Sequence, residues 1–102
     1  MHARVSRFAG LDPGRVEATV EQFKIDSLEE LKAQPGFKGI TVGVNRASGQ
    51  AIAITLFESE REMRDSEKLA AQARAAAIET GQTGPSREPV VDHYEVVVQT
   101  SS

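Results

Sequence analysis

The chain predicts an α+β domain of the ferredoxin-like kind, β-α-β-β-α-β with an antiparallel sheet. Three observations carry this. Residues 39–57 hold two runs of alternating β-branched and small residues across a tight loop. A strand-like segment and an Asp-Pro helix start precede them. A capping box, a long alanine-rich helix and a valine-rich strand follow. At 102 residues the chain is one domain, residues 1–102.

His2–Phe8 reads as strand one, with Val5 between Arg4 and Arg7. After the Gly10-Leu11 turn, Asp12 caps free amides and Pro13 suits a first helical turn. Val16, Val20 and Phe23 share one helical face. The pattern breaks at Ile25-Asp26. Ser27 with Glu30 reads as a capping box, so a second short helix is expected over Leu28–Gln34, with Leu28 and Leu31 inward. Pro35-Gly36 stops it.

Strand two spans Gly39–Asn45, where Ile40, Val42 and Val44 alternate with Thr41, Gly43 and Asn45. Gly43 is expected to mark a kink, a bulge or a close backbone approach. Arg46–Gly49 forms the loop. In strand three, Ala51–Phe57, Ile52, Ile54 and Leu56 alternate with Ala53, Thr55 and Phe57. The second face of each strand is small or mildly polar, as if partly covered.

Ser59 with Glu62 forms another capping box, and one helix is expected from Glu60 to Thr80, stopped by Gly81. Its alanines allow close approach to a neighbour. Arg61, Arg64, Glu67, Lys68 and Arg74 read as a solvated face with local ion pairs. Gln82–Pro89 is a loop, Val90–Gln99 the last strand, and Thr100–Ser102 is expected to fray.

The net charge of −3, the lack of a basic run and the few aromatic residues argue against nucleic-acid binding. No stretch is long and apolar enough to span a membrane or to read as a signal peptide, and there is no cysteine. A cytoplasmic protein is the expectation. No histidine and carboxylate cluster has metal-ligand spacing. Neither a phosphate-binding loop nor a nucleophile elbow occurs. With both helices on one side of the sheet, Ile, Val and Leu on the other would form a large bare patch. A homodimer packed sheet to sheet would cover it.

Pro35-Gly36-Phe37-Lys38-Gly39, Thr55-Leu56-Phe57-Glu58-Ser59-Glu60, Ser66-Glu67 and His93-Tyr94-Glu95-Val96 resemble the antibiotic-biosynthesis-monooxygenase family. The likeness spans nearly the whole chain. It implies a dimeric α/β barrel and a cofactor-independent oxygenase acting on an aromatic quinol or polyketide-like molecule. The haem-degrading members share an Asn, Trp and His set. This chain has no Trp, and Ser66 stands where that Trp is expected, so haem degradation by that route is not implied.

His93 is the candidate catalytic base, since a neutral imidazole takes a proton near pH 7. The competing account is a strand histidine that only hydrogen-bonds. Asn45, Phe57, Met63 and Tyr94 are the candidate substrate-binding residues. Turn formation competes at Asn45, and core packing at the other three. Arg4 and Arg7 suit either an anionic ligand or an exposed edge. No cofactor is implied. The alternative to an enzyme is a homodimeric small-molecule binder or scaffold.

Overall fold

The computed structural model describes residues 1–82 and 87–100. Its strands are β1 (His2–Phe8), β2 (Phe37–Asn45), β3 (Gln50–Phe57) and β4 (Val90–Glu95). They form one antiparallel sheet in the order β2-β3-β1-β4, the ferredoxin-like arrangement. The helices are α1 (Val16–Phe23), α2 (Glu29–Lys32), α3 (Glu60–Asp65) and α4 (Glu67–Gly81). Strand β1 is therefore central, and Arg4 and Arg7 do not lie on an edge strand.

The register decides what each face carries. Ile40 pairs with Thr55, Val42 with Ala53 and Val44 with Ala51. These side chains share the helix-covered face with Arg4, Ser6 and Phe8 of β1. Ile52, Ile54 and Leu56 stand on the opposite face with Arg7, Val5 and Ala3. Val90 and Tyr94 extend that second face and are 58% and 47% exposed. Both faces of the sheet are thus apolar, but only one is covered by helices.

Gly43 pairs regularly with Ile52, and the register shift falls instead between Phe37 and Gly39. The expected irregularity is thus displaced to where β2 begins. Strand β4 stops at Glu95 rather than Gln99. The Val96 amide still donates to the Met1 carbonyl at 2.8 Å. Val97 and Val98 are exposed.

Asp12 accepts a hydrogen bond from the Gly14 amide at 2.9 Å and opens a 3₁₀ turn over Pro13–Arg15 that leads into α1. The expected break after α1 is absent. Lys24–Leu28 continues as a π-helical turn into α2, and Ser27 lies buried inside it with no capping bond. The helix keeps going because its wide turn carries Leu31 into the core and leaves Ile25 outside. Ser59 does cap α3, accepting from the Glu62 amide at 3.2 Å.

Two further corrections concern the ends of α4. The single helix expected over Glu60–Thr80 is divided at Ser66, and α4 runs on through Gly81. The loop and the fraying terminus expected at Gln82–Pro89 and Thr100–Ser102 fall partly outside the described residues.

The tip of the β2–β3 hairpin is tied to the β1–α1 connection. The Leu11 amide donates to the Gly49 carbonyl at 2.9 Å, and Gly49 has φ +70°. A Cβ there would stand 2.7 Å from the Leu11 carbonyl oxygen, so only glycine fits. The Asp12 amide to Gly81 carbonyl bond, 2.9 Å, closes the same end of the molecule.

Candidate functional site

Between the sheet and the helices lies a cavity of about 290 Å³. Its origin is visible in residue sizes. Ala51 and Ala53 of β3 face Ala70, Ala73 and Ala77 of α4, so small side chains meet small ones and the space between stays open. Val16, Val20, Phe23, Leu28 and Leu31 wall it from the helices before β2, and Ile40, Val42 and Val44 from β2. The exposed Lys24 and the 49%-exposed Val42 stand where it meets solvent. The wall is almost wholly apolar. A volume near 300 Å³ is the low end for small-molecule sites.

Arg4 and Arg74, two of the polar residues on the wall, belong to a charged cluster. Arg4, only 2% exposed, donates through Nη2 to the Met63 carbonyl and to Ser66 Oγ at 2.8 Å. Ser66 Oγ in turn donates to the Met63 carbonyl at 2.7 Å. These bonds converge at the joint of α3 and α4, and a side chain inserted there accounts for the division of the helix. The guanidinium also lies 5.6 Å from the ring centroid of Phe57.

Glu67 opens α4 and joins two cations. Its Oε2 stands 2.8 Å from Arg4 Nε, and its Oε1 accepts from Arg74 Nη2. The Arg4 pair is close but not aligned as a hydrogen bond, so Arg4 Nε and Glu67 Oε2 lack a bonding partner among the described residues. Nη1 of Arg4 and Nη1 of Arg74 are likewise shielded from water and without an acceptor. Burial pulls the Arg4 pKa below its ordinary value, Glu67 opposes that, and the like charge of Arg74 adds to it. Burial pushes the Glu67 carboxyl up, but the hydrogen bond from Arg74 and the charges of Arg4 and Arg74 outweigh it and hold Glu67 low.

No family model matches the sequence, and no curated protein matches it. Solved structures do. A monooxygenase of Streptomyces coelicolor in complex with nanaomycin D superposes with a TM-score of 0.71 at 21% identity, over 98% of this chain and 92% of that one. An antibiotic biosynthesis monooxygenase superposes at 0.62 with 11% identity, over 96% of this chain and 100% of the other. The haem-degrader MhuD of Mycobacterium tuberculosis, with two haems bound in its active site, gives 0.65 at 16% identity, over 97% and 99%. The chain has the antibiotic biosynthesis monooxygenase fold. At these identities the likeness is one of fold.

Within the monooxygenase fold, the five residues singled out from sequence do not converge. His93 sits exposed on β4, opposite Arg4 in register and near Glu60 and Glu67. It does not line the cavity, and Arg4 stands between the two. Tyr94 lies on the open sheet face, as the strand alternation required. Asn45 is exposed, and its Oδ1 accepts from the Ala47 and Ser48 amides, both at 3.1 Å, to fold the hairpin loop. Phe57 and Met63 are fully buried. Phe57 packs edge-on against Phe37, centroids 6.1 Å apart, and neither Phe57 nor Met63 borders the cavity.

The charged cluster went largely unread in the sequence. Glu67 and Arg74 looked like members of a solvated helix face, yet the Arg74 side chain is only 13% exposed. Arg4 was one of two arginines on a short strand. The available signal was the alternation of Arg4, Ser6 and Phe8 against Ala3, Val5 and Arg7, which places a cation on one face of a strand that proves central. Among the described residues, no three His, Cys, Asp or Glu side chains are grouped to hold a metal. No helix among them is long and apolar enough to cross a membrane.

Proposed function

We propose that the cavity binds a planar aromatic small molecule, and that the protein oxidises a quinol- or anthrone-type substrate with dioxygen and no bound cofactor. The observation that carries this reading is the cavity itself: about 290 Å³, with apolar walls and Arg4 and Arg74 among its few polar lining residues. The solved monooxygenase in complex with nanaomycin D has the same fold and supports the choice of ligand class. In the reaction, an acidic ring hydroxyl gives up its proton and the electron-rich anion reacts with dioxygen. In an anthrone one oxygen atom enters the ring methylene as a ketone, and the other leaves as water with the two hydrogens that carbon loses. In a quinol one oxygen atom enters a ring C–H as a hydroxyl, and the other leaves as water with the two hydroxyl hydrogens as the ring becomes a quinone.

The protein's share is to exclude water and to hold the anion near positive charge. His93 is not a contacting base in this reading, because it stands outside the cavity. A second reading, binding without turnover, is favoured by one observation. Among the described residues lining the cavity there is no His, Tyr or Asn. We also propose a homodimer, in which Ile52, Ile54, Leu56 and Tyr94 of the open sheet face pack against a second copy. A cytoplasmic location fits the cysteine-free sequence.

The test is oxygen uptake with 1,8-dihydroxyanthrone and with a naphthoquinol, alongside a thermal-shift titration of both. Uptake proportional to protein, lost in Ala53→Phe, supports the oxygenase. A thermal shift without uptake leaves the binder. Neither response removes both.

A further inference from the structure

We propose that Ser6 and Thr55 form the polar anchor of this cavity, their two hydroxyls hydrogen-bonding one oxygen on the ring system of the ligand. The inference rests on the reading of the cavity as an aromatic site and names the atoms that orient its occupant. Ser6 and Thr55 both border the cavity, and they are only 4% and 6% exposed. Neither hydroxyl bonds to another described residue, yet neither belongs to the buried atoms closed off from water, as Nη1 of Arg4 and Nη1 of Arg74 do. In residues so deeply placed, the surface each hydroxyl keeps opens on the cavity. A buried hydroxyl calls for a partner, and here the partner has to come from whatever fills that space.

The other polar side chains on the wall already have partners. Arg4 gives Nη2 to the Met63 carbonyl and Ser66, and Arg74 gives Nη2 to Glu67. Thr19 Oγ1 donates to the Arg15 carbonyl at 2.8 Å, Asp12 Oδ1 accepts from the Gly14 amide at 2.9 Å, and Lys24 pairs with Glu21 at 3.5 Å. The register brings the two remaining hydroxyls together. Arg4 of β1 pairs with Thr55 of β3, and Ser6 with Ala53. Ser6 and Thr55 are therefore diagonal neighbours on one face, about 7 Å apart or somewhat less at Cβ. Both hydroxyls can then reach one oxygen set between them at about 2.8 Å. A hydroxyl donates and accepts, so the pair suits a carbonyl or a phenolic oxygen. As that oxygen gives up its proton, both hydroxyls can turn to donate to it. On an otherwise apolar wall, one such point fixes which edge of the ring system faces the sheet, while Ala53 beside it leaves room for the ring.

The experiment compares 2-naphthol with 2-methylnaphthalene, which carries a methyl group in place of the hydroxyl, by ligand fluorescence at pH 7. Ser6→Ala and Thr55→Val each remove a hydroxyl with little change of shape. Each is expected to weaken 2-naphthol binding about three- to tenfold, the scale of one neutral hydrogen bond, and to leave 2-methylnaphthalene within about twofold. Thr55→Ser keeps a hydroxyl and should keep the wild-type affinity for 2-naphthol. Should Thr55→Val fail to fold by circular dichroism, Ser6→Ala decides alone. A loss of 2-naphthol affinity below about threefold in either variant overturns the shared anchor and leaves the aromatic pocket standing. Equal weakening of both ligands also overturns it, since the residues would then act through the shape of the cavity. Wild-type binding of 2-methylnaphthalene alone does the same. Binding of neither ligand overturns the pocket reading as well.

Discussion

Replacing Glu67 by Gln tests the charged cluster directly. The substitution keeps size and one acceptor but removes the one negative charge that, among the described residues, joins Arg4 and Arg74. Arg4 is 2% exposed and cannot neutralise itself, so the fold would hold two adjacent cations without a counterion. Stripping one partner from a fully buried pair costs about 3–5 kcal/mol, and from a surface pair about 0–1 kcal/mol. With Glu67 39% exposed and Arg74 13% exposed, the expected loss lies between, about 2 kcal/mol. For a domain of this size that corresponds to a fall in Tm of about 8–16 °C. Differential scanning calorimetry at pH 7 measures it. Glu79→Gln, on an exposed position of the same helix, is the control and should move Tm by less than a few degrees. A fall below 2 °C for Glu67→Gln would refute the reasoning, since the guanidiniums would then be solvated after all. The pH dependence supplies a second check. The native Glu67 pKa is lowered from the usual 4.5. Its stabilisation is therefore complete above that value and is lost as pH falls through the lower native one. The gap between wild type and Glu67→Gln should close over that window.

The remaining expectations concern the turn, the cavity, the open face and the histidine. Gly49→Ala forces a side chain into φ +70° and against Leu11, and should cost about 1–3 kcal/mol, read as a lower urea midpoint. Ala53→Phe fills the cavity from β3. It should abolish ligand-induced thermal shifts while leaving the unliganded Tm within about 5 °C, because the site has room for the ring. Ile54→Asp on the open face should convert the proposed dimer to monomer by light scattering at micromolar concentration. An unchanged dimer would place the interface elsewhere. His93→Ala should alter turnover less than about twofold, and a tenfold fall would restore the imidazole as the base.

The alternating runs of β2 and β3, the Asp12 and Ser59 caps and the central hairpin were legible because each is local. Period, cap and turn are properties of neighbouring residues. What the sequence hid depends on partners far along the chain. Arg4 reads as a charged residue of a short strand until β4 pairs beside it and makes the strand central. Glu67 and Arg74 read as a solvated helix face until Arg4 reaches the joint at Ser66 from 62 residues away. The alanine run is a helix former in isolation, and it bounds a cavity only once Ala51 and Ala53 stand opposite. Ser27 misled because Ser followed by Glu30 is a capping pattern, while the competing wide turn carries no comparable local mark. For the same reason the five residues chosen as chemical groups scatter over both faces and the loop.

That wide turn acts as a phase corrector. Leu28 and Leu31 each follow a core-facing residue, Val20 and Phe23, by eight positions. An α-helix advances about 100° per residue, so eight positions would rotate each leucine about 80° off its predecessor's line. The π-helical turn over Lys24–Leu28 takes up about one extra residue and cancels most of that rotation. Both helical segments therefore press the same stripe on the cavity, and Ile25, 75% exposed, bulges outward as the surplus residue. Wound as a regular α-helix, the same residues would point the second half's leucines sideways, whereas a chain one residue shorter would hold them about 20° from the line with no wide turn. The wide winding of this short stretch, more than its composition, aims that wall of the cavity.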